Sequence, residues 1–446
     1  MLNIHTIGGY NEVGKNMTAL EVGNDAILFD AGIYLPAIVG VQEREKVPTE
    51  SGMRGIGALP DDLYLDKNNL RNKVRSVLVS HAHLDHVGAV QYLGPRYPNA
   101  NIAGTPFTME VLKSLLADNQ AGIPNEINSV KPNGSFTIKG KENYKVEFLN
   151  MTHSTIQSTI IAVHTNDGVI LYANDYKLDN TPIMGDKPNY KRLKELSKMG
   201  VKALVADCLY APDDRKTPSE KIAKGLLEDV LFTTENYKSG LIITTFSSHI
   251  ARLKSITEFG AKLNRKVVFL GRSLNKYTQA AIKVGKAPFK NQIEIATYRN
   301  QLEKVLRKVD KNRKDYLVVC TGHQGEPGSI LDRLSRNKLP YKIRPEDHII
   351  FSSKTIPTPV NEASRAELEK RLRKSKPRIF DNVHVSGHGG REDLRDLIKL
   401  TNPEHFIPSH GDKSKTQAGL DLAVEMGYKN KYNVHLLSNG KKLTLK

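Results

Sequence analysis

Six consecutive residues, His81-Ala82-His83-Leu84-Asp85-His86, place three imidazoles and a carboxylate directly after the apolar run Val77–Ser80. His81 and His83, two apart in an extended turn, can face one cation. Asp85 and His86, at the opening of a helix expected over Asp85–Tyr92, are offset toward a second. Imidazole with carboxylate suits zinc or manganese, and two cations held close together are a hydrolytic device. Packing gives no reason for four polar side chains at the end of a core strand, so metal chemistry leads.

Two coordination shells need further ligands, and four other apolar runs end in residues of ligand type. Asp30 follows Leu28-Phe29, His153 follows Asn150-Met151-Thr152, Asp175 follows Tyr172-Ala173-Asn174, and His410 follows Ile407-Pro408-Ser409. Each alone reads equally well as a turn residue. Together they favour one site where strand ends converge.

The elements that must position these residues begin with Leu2–Ile7, Met17–Val22 and Ala26–Asp30, strands of an antiparallel meander, followed by the buried strand Arg75–Ser80. Lys145–Leu149, Thr159–His164 and Val169–Ala173 suggest a second sheet. From Val201 the rhythm becomes strand then helix. Val201–Ala206, Leu241–Thr245, Val267–Leu270 and Tyr316–Cys320 alternate with helical patterns at Pro218–Phe232, Ile250–Phe259 and Leu274–Val284, the signature of a parallel sheet. His348–Phe351, a helix over Asn361–Arg373, Asn382–Val385, Arg391–Leu400 and His405–Ile407 follow, with a last hairpin of Val434–Leu437 and Lys442–Leu445. The middle block reads as inserted: 1–206 and 351–446 form one domain around 207–350.

The 446 residues carry 66 Lys+Arg against 48 Asp+Glu, a net charge of +18, which favours a polyanionic partner. No apolar run approaches the ~20 residues of a membrane span, and no secretory leader is visible. Cys208 and Cys320, both in apolar runs, read as reduced buried thiols, so a cytoplasmic location is expected.

The series Asp30, His81-x-His83-x-Asp85-His86, His153 and Asp175 resembles the metallo-β-lactamase superfamily. The resemblance implies an α/β fold: an αβ/βα sandwich with a two-metal site. By that likeness His81, His83 and His153 hold one zinc, Asp85, His86 and His410 hold the other, Asp175 bridges, and Asp30 supports the site from behind a ligand. Asp207-Cys208, Ser386-Gly387-His388 and His410 resemble the extra motifs of the β-CASP nuclease branch, whose inserted domain is a parallel-sheet lid. Within that branch the chain resembles the ribonuclease J family, in its shorter archaeal form without a C-terminal domain. The segments that carry this are Thr245-Phe246-Ser247-Ser248-His249, Gly271-Arg272-Ser273, Thr321-Gly322-His323-Gln324-Gly325-Glu326-Pro327, Ser352-Ser353-Lys354-Thr355-Ile356-Pro357 and His384-Val385-Ser386-Gly387-His388. His323 stands where that family carries a small residue.

The resemblance implies a zinc-dependent 5′→3′ exoribonuclease acting on single-stranded RNA, with two Zn2+ per chain (Mn2+ being the alternative) and a homodimer as its assembly. His388 is expected as general acid, with Asp207 holding its tautomer and Asp85 among the catalytic groups. Ser247, Ser248, His384, Ser386 and Gly387 are expected to hold a 5′-terminal phosphate, with Ser248 near the start of helix Ile250–Phe259. An RNA endonuclease of the 3′-end cleavage type is the nearest alternative. A small-molecule thioesterase or lactonase would explain the metals but neither the insert nor the charge.

Overall fold

The computed structural model describes residues 2–39 and 49–445. The chain forms two compact units, one running up to Thr217 and resuming at Gly387, the other being mainly Pro218–Ser386. The first unit is a sandwich of two sheets. In one sheet, Lys441–Leu445, Leu2–Gly8, Met17–Val22, Asp25–Phe29, Val74–Val79, Asn101–Gly104 and Ile127–Ser129 lie side by side in that order. The other runs His405–Ser409, Val201–Asp207, Gly168–Ala173, Thr159–Thr165, Asn143–Asn150, Gly134–Lys139.

Alternation of side chains explains why the central strands Gly168–Ala173 and Val201–Asp207 of the second sheet are apolar along most of their length. Ala203, Val205, Ile170 and Tyr172 point into the core shared with the first sheet, where Phe29 stacks on Tyr172 at 4.9 Å. Leu204, Ala206, Leu171 and Ala173 point the other way, into a layer that includes Leu193, Leu196, Leu394, Leu397 and Leu422 of the outer helices. Both faces are therefore buried.

The second unit has one sheet, ordered Ile293–Ala296, Lys266–Leu270, Tyr316–Cys320, Leu241–Thr244, His348–Phe351, Arg378–Phe380, with every pair parallel. Arg378–Phe380 pairs with His348–Phe351, which carries helix Pro359–Lys374 into this unit. The unit thus runs to Ser386, against the 207–350 read from sequence. Among the described residues no helix is long and apolar enough to cross a membrane. Both cysteines are free and buried.

Four local expectations are corrected. Val201–Ala206, read in one parallel series with Leu241–Thr245, Val267–Leu270 and Tyr316–Cys320, instead pairs in parallel with Gly168–Ala173 and His405–Ser409 in the sandwich. The helix over Asp85–Tyr92 is instead two short helices, Leu84–Val87 and Val90–Leu93. The helix breaks because the 30s loop takes its backbone groups: Asn16, Ala31 and Ile33 donate to the carbonyls of Asp85, His86 and Leu84, and Ala89 donates to Ala31. Asn382–Val385 is not a strand. Val434–Leu437 is not a hairpin arm either, because Lys441–Leu445 finds a longer ladder against Leu2–Gly8.

Candidate metal centre

All the expected ligands leave strands at one edge of the sandwich. His81 follows Val74–Val79, Asp30 follows Asp25–Phe29, His153 follows Asn143–Asn150, Asp175 follows Gly168–Ala173, and His410 follows His405–Ser409. Asp30, Asp175 and His410 turn through the left-handed region, with φ of 57°, 56° and 55°. Non-glycine residues are uncommon there and collect at functional sites, where surrounding contacts hold the strain. Gly32 permits the close approach of its loop, since a Cβ there would meet Asp85 O at 1.6 Å.

The side chains converge on Asp175. Its Oδ2 lies 3.5 Å from His81 Nε2, 3.3 Å from His86 Nε2, 3.6 Å from His153 Nε2 and 3.8 Å from His388 Nε2, and its Oδ1 is 3.6 Å from His410 Nε2. Asp85 Oδ2 is 3.6 Å from His86 Nε2 and 4.0 Å from His410 Nε2. Ligand atoms of His81, His83, His153 and Asp175 lie within 4.8 Å of one another, as do those of Asp85, His86, Asp175 and His410. These are the two sets expected from the sequence, with Asp175 in both.

Hydrogen bonds behind the rings decide which nitrogen faces inward. His86 Nδ1 bonds Asp30 Oδ2 at 2.7 Å, and Asp30 also accepts from Ser80 N and Oγ. His153 Nδ1 donates to Gly387 O at 2.7 Å, and His81 Nδ1 is 3.0 Å from Ser80 Oγ, whose proton is committed to Asp30. His410 Nδ1 bonds Asn16 Oδ1 at 2.9 Å. Each of these rings carries a proton on Nδ1 and turns Nε2 inward, the arrangement that orients metal-ligating histidines.

That arrangement tests the fit of a cation. The Nε2 atoms of His81 and His153 lie 3.0 and 3.1 Å from the same Nδ1 of His83, which has at most one proton to share. One close pair of lone pairs is left facing. Burial holds His81 and His153 well below the usual imidazole range, so neither ring is protonated to relieve it. Asp175 Oδ1 is buried with no hydrogen-bond partner. Packed lone pairs around an unsatisfied carboxylate are costly unless a cation sits among them. The residues present fit a metal.

His388 is built differently from the candidate ligands. Asp207 ends strand Val201–Asp207 and spends Oδ1 on Leu209 N, leaving Oδ2 to bond His388 Nδ1 at 2.7 Å. Burial opposes charge on this ring, but Asp175 and Asp207 outweigh it and raise His388 to about 9. Its carbonyl is held by Thr217 Oγ1 at 2.7 Å.

The residues expected to hold phosphate divide between the units. Gly387 belongs with the metal cluster, where its carbonyl orients His153 and a Cβ would strike Ser154. Ser247, Ser248, His384 and Ser386 belong to the second unit. There the cap of helix Ile250–Lys262 is His249, accepting from Arg252 N, rather than Ser248. Sequence reasoning missed Asn16 and Ser80, which hold the rings of His410 and His81. It also missed the fully buried Arg252, which bonds Glu220 at 2.6 and 2.8 Å and Ser352 O at 2.7 Å. The polar Asn16 before the apolar strand Met17–Val22 was the one available signal for the first.

Comparison with known proteins agrees with this geometry. Residues 10–228 match the metallo-β-lactamase superfamily, 238–367 the ribonuclease J β-CASP domain, and 365–436 the Zn-dependent metallo-hydrolase RNA specificity domain. The chain is 42% identical to a ribonuclease J of Pyrococcus abyssi, covering 99% of this chain and 96% of that one. It is 41% identical to one of Methanocaldococcus jannaschii over 99% and 98%. A ribonuclease J of Helicobacter pylori is 30% identical over 98% of this chain and 60% of its own length. A solved structure of a protein of unknown function from Enterococcus faecalis V583 shares the fold, with a TM-score of 0.65, 17% identity and 99% of each chain covered. The chain belongs to the ribonuclease J family of metallo-β-lactamase fold hydrolases.

Proposed function

We propose that this chain removes nucleotides from the 5′ end of single-stranded RNA, 5′→3′, with a preference for a 5′-monophosphate, using two zinc ions. The observation that carries the reading is the buried ring of inward-turned imidazoles around Asp175. His81, His83 and His153 would hold one ion and Asp85, His86 and His410 the other, with Asp175 shared. When bound, such a pair supplies Lewis acidity at the scissile phosphate and an activated water at neutral pH.

The chain's own groups do the rest. Asp207 fixes the proton on His388 Nδ1, so Nε2 is the atom that exchanges a proton with substrate. We assign it to protonate the departing ribose 3′-oxygen. Ser247, Ser248, His384 and Ser386 would supply donors to a terminal phosphate. Arg252 and Ser352 Oγ steady the segment leading to His384 by bonding Ser352 O and Val383 O. The surplus of eighteen positive charges supports a polyanionic substrate. The free, buried thiols of Cys208 and Cys320 are consistent with work in the cytoplasm.

Digestion of end-labelled RNA with a 5′-monophosphate or a 5′-triphosphate tests this. The expected result is early release of labelled mononucleotide from the 5′ end, faster with the monophosphate. Internal fragments appearing first would replace the exonuclease reading with the endonuclease one.

A further inference from the structure

A cavity of about 660 Å³ opens at the carboxyl edge of the second unit's parallel sheet, where Leu241–Thr244, Lys266–Leu270, Ile293–Ala296 and Tyr316–Cys320 give way to their following loops. Crevices at this edge of parallel sheets are where such folds receive ligands. Three guanidinium groups line it, those of Arg272, Arg299 and Arg333, against one carboxyl, that of Glu326. Arg299 Nε is engaged by Glu303 at 3.0 Å, which leaves its terminal nitrogens for another acceptor.

Arg272 and Arg299 also open the helices Arg272–Lys283 and Arg299–Lys311. The caps of both, Gly271 and Tyr298, make no side-chain bond to the first turn. The leading amides of a helix have no partner within it, and an anion placed there meets both those donors and the helix dipole.

His323 is the independent observation. It lines the same cavity, is only 6% exposed, and neither ring nitrogen has a hydrogen-bond partner. Orphaned polar atoms this deeply buried need an occupant to satisfy them. Burial, with Arg365 adding to it, lowers this imidazole to about 3, so the ring is neutral and offers one donor and one acceptor. Phe246 packs against it with centroids 4.1 Å apart. Glu326, whose Oε2 accepts from Gln324 N at 3.0 Å, lines the same cavity, and burial raises that carboxyl above its ordinary range.

We propose that this cavity, lined wholly by residues of the second unit, is a nucleoside-phosphate site in which Arg272, Arg299 and Arg333 hold the phosphate and His323 reads the base, Ser247 being common to it and to the terminal-phosphate donors. A cluster that only neutralised phosphate would not need an uncharged donor–acceptor ring, and a purely apolar base pocket would not need three arginines. The occupant is a nucleotide, either free or as one residue of an RNA chain.

Calorimetric titration of the full-length chain with 5′-AMP, and separately with inorganic phosphate, tests the site. Arg272→Ala combined with Arg299→Ala should weaken both ligands about tenfold or more. His323→Ala should weaken AMP about fivefold and leave phosphate unchanged. Removing the metals with a chelator should leave AMP binding unaltered. AMP affinity that is indifferent to the arginine pair, or that disappears with the metals, overturns the proposal. Arg272 and Arg299 are exposed, so that variant decides the matter even if His323→Ala does not fold. A phosphorothioate oligoadenylate that displaces AMP and loses affinity in the arginine variant identifies the occupant as RNA. One that does neither identifies it as a free nucleotide. Because the readout is binding, it stands or falls independently of the direction of RNA cleavage.

Discussion

At the residue scale the centre is defined as much by what stands behind the ligands as by the ligands. His388 and Asp207 form the hydrogen-bonded pair to which we assign the proton transfer. His388→Ala should lower turnover by about 10²–10⁴ while RNA binding persists, measured by single-turnover cleavage beside a filter-binding assay. Asp207→Asn should reproduce much of that loss, because an amide in place of the carboxylate no longer fixes the tautomer. Undiminished cleavage by His388→Ala would remove it as the acid. Asn16 acts one step further back: its Oδ1 holds His410, and its Nδ2 reaches His86 Nε2 at 3.1 Å and Asp85 O at 3.1 Å. Asn16→Ala should weaken metal retention about 10–100-fold, read as metal content after competition with a chelator. Unchanged retention would show that the rings are oriented by packing alone.

At the scale of elements, the strand Val74–Val79 and the cluster after it were legible because strand periodicity and ligand spacing are local properties. So were the strand ends bearing His153, Asp175 and His410. What was not legible depended on distant partners. Nothing near Leu84 announces that Asn16, Ala31 and Ile33 will take its carbonyls, so one helix was read where two short ones form. Strand Ile293–Ala296 and helix Arg299–Lys311 passed unread, the strand being only four residues long and the helix strongly charged. The gathering of Ser386 with the insert also depended on a pairing, that of Arg378–Phe380, which no local pattern reveals. Arg252 shows the same limit: sequence places it on a helix, whereas the fold buries it against Glu220 and the end of strand His348–Phe351. Arg252→Met should cost about 3–5 kcal/mol in denaturant unfolding, because Glu220 keeps a buried charge and loses the guanidinium that bonds both its oxygens. Adding Glu220→Gln should restore part of that loss, and a double variant no better than the single would refute the pair's role.

At the scale of the whole molecule, acid stability follows from carboxylates held by neighbours. Burial alone would raise Glu147, but Arg192, Lys145 and His164 outweigh it and bring it to about 2. Lys73, Asn3 and His5 do the same for Glu21, also about 2. A carboxyl whose folded value lies below its unfolded one stabilises above the unfolded value, and that contribution vanishes as the pH falls through the folded value. Thermal stability should therefore decline between about pH 4.5 and 2. Glu147→Gln should remove about 1 kcal/mol of the pH-dependent part, discounted for solvent screening. Melting curves of the two proteins with equal slopes against pH over that range would contradict this.

The order of the chain adds a consequence for synthesis. His81 through Asp207 leave the ribosome first, and the 218–386 unit must be translated before His388 and His410 exist to join them. At ordinary elongation rates that interval lasts roughly ten to thirty seconds. Throughout it the nascent polypeptide carries the other six proposed ligands but neither His410 nor His388, the proton donor we propose, and on that reading it does not attack the messenger from which it is being read.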